Sequence, residues 1–336
     1  MKKQVSLTAL ALTVAISATV MSATTAQAVT VADDGESKLK ISGKAFLGFT
    51  QVDNAGTKTI GGNVDRFYFQ AKYTKDIWTA RITTDVNNEQ NNVTLKRNMN
   101  VFLKYAYLEG KFSDAATLRL GLSHTPWIDY EQKLWGHRYV SKVTSDYMGY
   151  DTSSDYGIGL KGKFADDFVS YWVTATNGGG YGKPNQTGAV DLNTRVTFKP
   201  MDGLDVSLQY VSGYKGKKTD STVNIADKHT MTQVMVSYGT SDFRVGVNAI
   251  DVKNMKTTTG DDRTATGLWA TGKFSKEFGA FARLDSEDKA GVKKDHTVIG
   301  FDYFAQKGVT LTAAYDLKDD NGTKTTTVGL FSLVKF

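Results

Sequence analysis

The 336-residue chain carries 41 Lys and Arg against 35 Asp and Glu, a formal net charge of +6, with the two signs interspersed along its length. That spread excludes the concentrated basic face of a nucleic-acid binder. Mean hydropathy is −0.33, and beyond the N-terminal stretch no apolar run reaches the ~20 residues of a spanning helix, which leaves an exported soluble protein or a membrane β-barrel.

The chain opens on a basic Met1-Lys2-Lys3, continues with an apolar stretch from Leu7 to Val20, and reaches the small-x-small triplet Ala26-Gln27-Ala28. This pattern predicts a secretory signal peptide over 1–28, cleaved after Ala28, rather than a membrane anchor, because the apolar core is short and a cleavage site follows it. Cysteine is absent, which spares an exported chain wrong disulfides in an oxidising compartment.

From Lys38 onward, apolar and polar residues alternate in segments of about ten residues. Phe67, Phe69, Ala71 and Tyr73 share one parity, against Arg66, Tyr68, Gln70 and Lys72. Leu118, Leu120 and Leu122 oppose Thr117, Arg119 and Ser123, and Val245, Val247 and Ala249 oppose Arg244 and Asn248. The alternation predicts about sixteen strands, since successive side chains of a strand point to opposite faces. They begin near Leu39, Val64, Ile77, Asn98, Ala116, Asp155, Asp167, Val190, Gly203, Thr230, Asp242, Thr264, Gly279, His296, Gly308 and Lys324. The segment from Val101 to Phe112 fits least well, because its alternation slips near Ala106.

Tight connections such as Lys75-Asp76, Ala165-Asp166 and Thr240-Ser241 alternate with longer polar loops at about 54–63, 87–97, 125–154, 177–188, 215–228, 253–262, 287–294 and 318–323. Aromatics flank the tight turns: Tyr73, Trp78, Phe164, Phe168, Phe198, Tyr238, Phe243 and Phe274. Amphipathic rings in that position would form an interfacial girdle, which Phe336 at the end of the last strand would join. Together these features predict an all-β fold over 29–336: a transmembrane antiparallel β-barrel with short periplasmic turns and long extracellular loops.

The strand number, the terminal Phe336 and the long loop at 125–154 after the fifth strand resemble the porin families of Gram-negative bacteria. Leu118-Arg119-Leu120-Gly121-Leu122 is similar to the glycine-bearing strand before a porin's constriction loop, and Ser153 to Leu160 is similar to the return strand of phosphate-selective and related porins. The resemblance implies that the loop, with Pro126-Trp127 and Trp135-Gly136-His137-Arg138-Tyr139, folds into the lumen and narrows it. It also implies an outer-membrane location, contact with lipid and lipopolysaccharide, a homotrimer, and recognition of the last strand by the barrel-assembly machinery. The function expected is passive diffusion of small hydrophilic solutes and ions through a water-filled channel, with no cofactor or metal. The loop carries no recognisable copy of the acidic motif of general porins.

Strand parity places Arg66, Arg81, Arg119, Arg195, Arg244 and Arg283 on the lumen side, with Lys104 less firmly assigned in the irregular segment. From the loop, Asp129, Glu131 and Asp146 would project across the pore toward Arg81, Lys104 and Arg119, and Arg138 would line the constriction. The excess of lining cations predicts a weak preference for anions. Trp127, Tyr130 and Trp135 have two readings: a stacking surface for sugars, or anchors of the loop against the wall.

Other motifs fail on chemistry. Gly178-Gly179-Gly180-Tyr181-Gly182-Lys183 lacks the Ser/Thr and helix of a phosphate-binding loop, and Asp319-Asp320-Asn321-Gly322 lacks the further oxygen ligands of a calcium loop. The four histidines show no close metal-ligand spacing, and no G-x-S-x-G elbow is present. A barrel enzyme of the lipase or protease type and an adhesive or structural surface barrel remain the alternatives.

Overall fold

A computed structural model describes residues 28–88, 99–183, 189–217 and 228–336. Nearly all of the signal-peptide stretch and parts of three predicted loops (89–98, 184–188 and 218–227) lie outside the described residues. The chain begins with β1 (Val29–Asp33), β2 (Ser37–Asn54), β3 (Thr57–Lys75), β4 (Trp78–Asn88), β5 (Met99–Lys111) and β6 (Thr117–His124). Two helices follow, α1 (Ile128–Trp135) and α2 (Thr144–Tyr147), before β7 (Ser154–Phe164), β8 (Val169–Thr176), β9 (Asp191–Met201), β10 (Leu204–Gly213) and β11 (His229–Gly239). The chain ends with β12 (Phe243–Lys253), β13 (Arg263–Lys273), β14 (Phe278–Lys289), β15 (Val292–Gln306), β16 (Val309–Asp320) and β17 (Thr323–Lys335).

Each strand from β2 to β16 pairs antiparallel with the next, and β17 returns to β2 from Thr325↔Asn54 to Lys335↔Lys44. The ring is closed by sixteen strands, so among the described residues each of them has a neighbour on both sides. The period of two decides the two faces: along β12, Val245 and Val247 are exposed outside, while Asn248 and Ile250 are buried inside. The outer skin is apolar around the ring, with Phe69, Leu120, Val236, Leu268 and Phe301 all exposed. The nine aromatics expected at the rim are exposed too, several in pairs such as Tyr238–Phe243, centroids 6.0 Å apart, and Phe67–Phe336, 5.8 Å.

Several boundaries differ from the sequence expectation. The loops expected at 54–63, 287–294 and 318–323 are two-residue turns, Ala55-Gly56, Ala290-Gly291 and Asn321-Gly322, and the strands run on beyond the apolar band. Both central residues have positive φ, 49° and 94° at Ala55-Gly56 and 49° and 91° at Asn321-Gly322, the hand that matches strand twist in a tight hairpin. Polar strand extensions look like loops in sequence because both are hydrophilic. An additional strand, β1, pairs with Lys38–Ile41 on the edge of β2 that β17 does not reach. The irregular segment is β5, and its slip is a β-bulge: Thr83 faces Tyr105 while Thr84 faces Leu103, so Lys104 is the extra residue.

Candidate functional site

The segment between β6 and β7 lies inside the barrel. In α1, Ile128, Glu131 and Trp135 fall on one helical face and are fully buried, and the helix ends at Gly136, whose left-handed φ of 79° lets its N–H reach the Gln132 carbonyl. Trp135 packs against Trp269 at 6.0 Å and edge-on to Phe281 at 5.5 Å. Trp127, Ile128, Val143, Met235 and Val298 complete this cluster. A second cluster joins Met148 and Tyr150 to Met231, Val252 and Met255.

Polar contacts tie the same face of the segment to the wall. Arg283 Nη2 donates to the Glu131 carboxylate at 3.1 Å and to Thr144 Oγ1 at 2.7 Å, and its Nε donates to Asp285 at 2.9 Å. Glu131 also accepts from the Trp127 indole N–H at 2.8 Å and from the Asn248 amide at 3.2 Å. His137 Nε2 lies 2.7 Å from Asp302, the Tyr139 hydroxyl donates to the same carboxylate at 3.0 Å, and the Tyr150 hydroxyl donates to Glu287. Burial pushes the Glu131 carboxyl above its usual range, and Arg283 only partly opposes the shift.

The opposite face of the segment looks across open space at β2–β5. Three cavities follow one another there: 220 Å³ toward the long-loop end, 100 Å³ at the centre, and 400 Å³ toward the short-turn end. Arg138 borders all three; Arg66 and Lys142 separate the first two, and Tyr68, Tyr105 and Gln132 separate the last two. Bulges aim two wall pairs at this point. Lys104 and Tyr105 both turn inward, and a register shift opposite Phe46 and Leu47 inserts Asp65 beside Arg66. Arg66 pairs with Asp85 at 3.1 Å, Lys104 donates to Ser153 Oγ at 2.6 Å and lies 3.5 Å from the centre of the Tyr181 ring. On the loop side, Asp146 lies 3.9 Å from Arg138 and 3.5 Å from Lys142.

The residues singled out from sequence separate into two groups. Arg66, Arg81, Lys104, Asp129, Arg138 and Asp146 border the three cavities. Glu131 does not project across the lumen: it is buried against the wall and paired with Arg283, which is itself fully buried beneath the loop. Arg119 is held by Glu109 at 2.9 Å and stacks over Tyr107, so it presents no free guanidinium to the eyelet. Arg195 lies 3.9 Å above the Tyr130 ring, and Arg244 pairs with Asp205 at 3.2 Å. Trp127 and Trp135 are buried in the loop–wall contact, so their rings are anchors rather than a stacking surface for sugars. Sequence reasoning missed Lys44, Tyr68, Gln132, Lys142 and Lys335. Lumen parity on β2 and β3 points to the first two, whereas Gln132 follows Ile128 by one helical turn, at the edge of the buried face of α1, and no comparable signal marks it. Among the described residues no three His, Asp or Glu side chains converge on a metal position.

A closed sixteen-stranded barrel with an infolded loop after its fifth barrel strand is the fold of porins, and solved structures agree. The chain is similar to an anion-selective porin from Comamonas acidovorans (TM-score 0.65, 13% identity, 90% of this chain and 100% of that one). It is similar to OmpF of Salmonella typhi, solved with daunomycin (TM-score 0.65, 13% identity, 90% and 98%), and to the outer membrane channel DcaP of Acinetobacter baumannii (TM-score 0.62, 11% identity, 90% and 99%). No protein-family model matches the chain. No curated protein matches it either.

Proposed function

We propose that the chain is an outer-membrane porin, a channel rather than an enzyme, that passes small hydrophilic solutes and ions by passive diffusion with a weak preference for anions. The observation that carries this reading is the succession of three cavities along β2–β5, bordered throughout by Arg138 and lined by Arg66, Lys104 and Lys142. An apolar exterior wrapped round a polar interior is stable with lipid outside and water inside, because every strand satisfies its backbone within the ring. The anion-selective Comamonas porin, of similar fold, supports the sign of the preference.

In this reading the segment 125–153 is the constriction loop and the exposed aromatics sit at the lipid interface. A signal peptide over 1–28 directs export, the barrel-assembly machinery takes up the last strand with its Phe336, and homotrimers form among lipid and lipopolysaccharide. Purified protein in planar bilayers should conduct in discrete steps, with a reversal potential in a KCl gradient on the anion side. Absence of stepwise conductance would refute the channel, and a cation-side reversal potential would refute the preference.

A further inference from the structure

Cross-strand neighbours at the short-turn end of the lumen are of like charge. Lys44 of β2 stands directly opposite Lys335 of β17. Four residues earlier on β2, Lys40 stands opposite Lys72 of β3, which in turn stands opposite Arg81 of β4. Like charges directly opposed in a sheet destabilise it, and a sheet commonly avoids the arrangement or inserts a carboxylate. Here, among the described residues, none of these five cations lies within ion-pair distance of a carboxylate.

Lys44, Arg81 and Lys335 line the 400 Å³ cavity just inside the constriction, with Arg138 at its inner edge. Asp129 is the one carboxylate side chain bordering it, and that group is engaged by Lys133 at 2.7 Å. The aromatic bed beneath the cations holds them in place and is itself covered: Lys44 Nζ lies 5.0 Å from the centre of the Tyr68 ring, the Arg81 guanidinium lies 4.8 Å from that of Tyr105, and Tyr105 is buried. Ser42, Gln70 and Gln132 add hydrogen-bonding groups around the same space.

From these cations we infer that the inner cavity is a binding station for small multivalent oxyanions, whose charge would relieve the repulsion between Lys44, Lys335 and Arg81. The inference rests on the channel reading and narrows its solute class. A single negative charge meets one of these cations, whereas a phosphate or a tricarboxylate can meet two or three at once. A solute held there slows the passage of chloride, so transport of such anions saturates while that of monovalent ions does not.

The test is chloride current through the purified full chain in planar bilayers, titrated with inorganic phosphate in one arm, citrate in a second and acetate in a third. Phosphate, citrate or both should reduce the current along a saturating curve, acetate should not, and the two effective arms show whether a phosphoryl or a carboxylate ligand is preferred. In Lys44→Gln/Arg81→Gln the half-blocking concentration should rise about tenfold or more, the scale of losing charge-assisted contacts. Lys40→Gln/Lys72→Gln, which leaves the cavity cations in place, should shift it less. Stepwise conductance of each variant reports that it folded. Current insensitive to both multivalent anions, block by acetate at equal strength, or unchanged block in Lys44→Gln/Arg81→Gln would overturn the station while leaving the pore intact. Absence of current in the wild type would overturn the pore itself.

Discussion

Along β11–β16 the lumen wall meets the loop through Trp269, Phe281, Arg283, Asp285 and Asp302, each buried and each in contact with a loop residue. Along β2–β5 the same kind of strand meets open cavities, with Arg66 and Arg81 facing the loop across space and Lys104 touching it only at Ser153. The outer skin is alike in the two sectors; the difference lies in what the inward parity carries and in the two bulges that re-aim it along β2–β5. One sector is largely a packed protein core inside a barrel, with open space left around Arg244 and Lys273, and the other is a channel wall. The off-centre passage follows from that division, because the loop can keep a fixed distance from β2–β5 only if something on its other side holds it.

The comparison breaks most easily at Arg283. Its guanidinium sits between two buried carboxylates, Glu131 on the loop and Asp285 on the wall. Arg283→Met leaves Glu131 without its cation and Asp285 with only His296 as an ion-pair partner, a change on the order of 3–5 kcal/mol for a buried charge network that loses one partner. The thermal midpoint of the detergent-solubilised protein should fall, and the open channel should become noisy as the loop leaves the wall. Arg283→Met/Glu131→Gln should recover part of the loss. A quiet channel with an unchanged midpoint would mean that the network does not hold the loop.

Tyr139→Phe probes the same contact more gently. The variant removes one donor to Asp302, which keeps its contacts with His137 and Thr312, so the loss should be about 1 kcal/mol. Measured with His137→Leu in a double-mutant cycle, the two changes should be non-additive, since both act through one carboxylate. Strict additivity would separate them into independent ties.

How much of this division was legible in the sequence depends on the interaction that creates it. Closure, strand number and the two faces follow from a period of two that is local, and they could be read from runs such as Phe67 to Tyr73. Parity also sends Arg66, Arg119 and Arg283 inward, but it carries no information about what each will meet. Whether an inward arginine faces water or a buried carboxylate is decided by a loop more than a hundred residues away in the case of Arg283 and Glu131. A clue was nonetheless present in α1. Ile128, Glu131 and Trp135 are spaced as one helical face, which seats Glu131 with two apolar residues against the wall, whereas Asp129 falls away from it toward the cavity. The bulges at Asp65 and Lys104 were harder to see. An extra residue shifts parity only from that point on, and β5 registered it as an irregularity one turn of the pattern too late.

Burial raises the Glu131 carboxyl, so the docked loop holds this proton more tightly than the undocked chain does. A carboxyl whose folded value lies above its unfolded one favours the docked state below the folded value and loses that contribution as pH rises through it. Lowering the pH from neutrality toward the ordinary glutamate range should therefore steady the wild-type loop relative to Glu131→Gln, which cannot titrate. The comparison to make is the difference in thermal midpoint between the two proteins across that window. A wild type that loses stability relative to the variant on acidification would show that Arg283 keeps Glu131 ionised and that the ion pair, rather than burial, sets its charge.

The smallest effect on stability belongs to the open sector and separates the two halves most sharply. Arg138 borders all three cavities, and its nearest carboxylates stand off at 3.6 Å (Asp65) and 3.9 Å (Asp146). Arg138→Gln should change stability by no more than about 0.5 kcal/mol, since its two ion pairs are long, Asp146 keeps Lys142 and Asp65 is half-exposed. The same change removes a cation from the narrowest stretch, where the field on a passing ion is least screened by water, so the KCl reversal potential should move toward the cation side. Arg283→Met should act in the reverse way, lowering the melting temperature before it alters the reversal potential of those channels that remain steady. If Arg138→Gln instead melted the protein, or left the reversal potential where it was, the wall along β2–β5 would be structural like its counterpart, and the charges that select ions would have to lie elsewhere along the path.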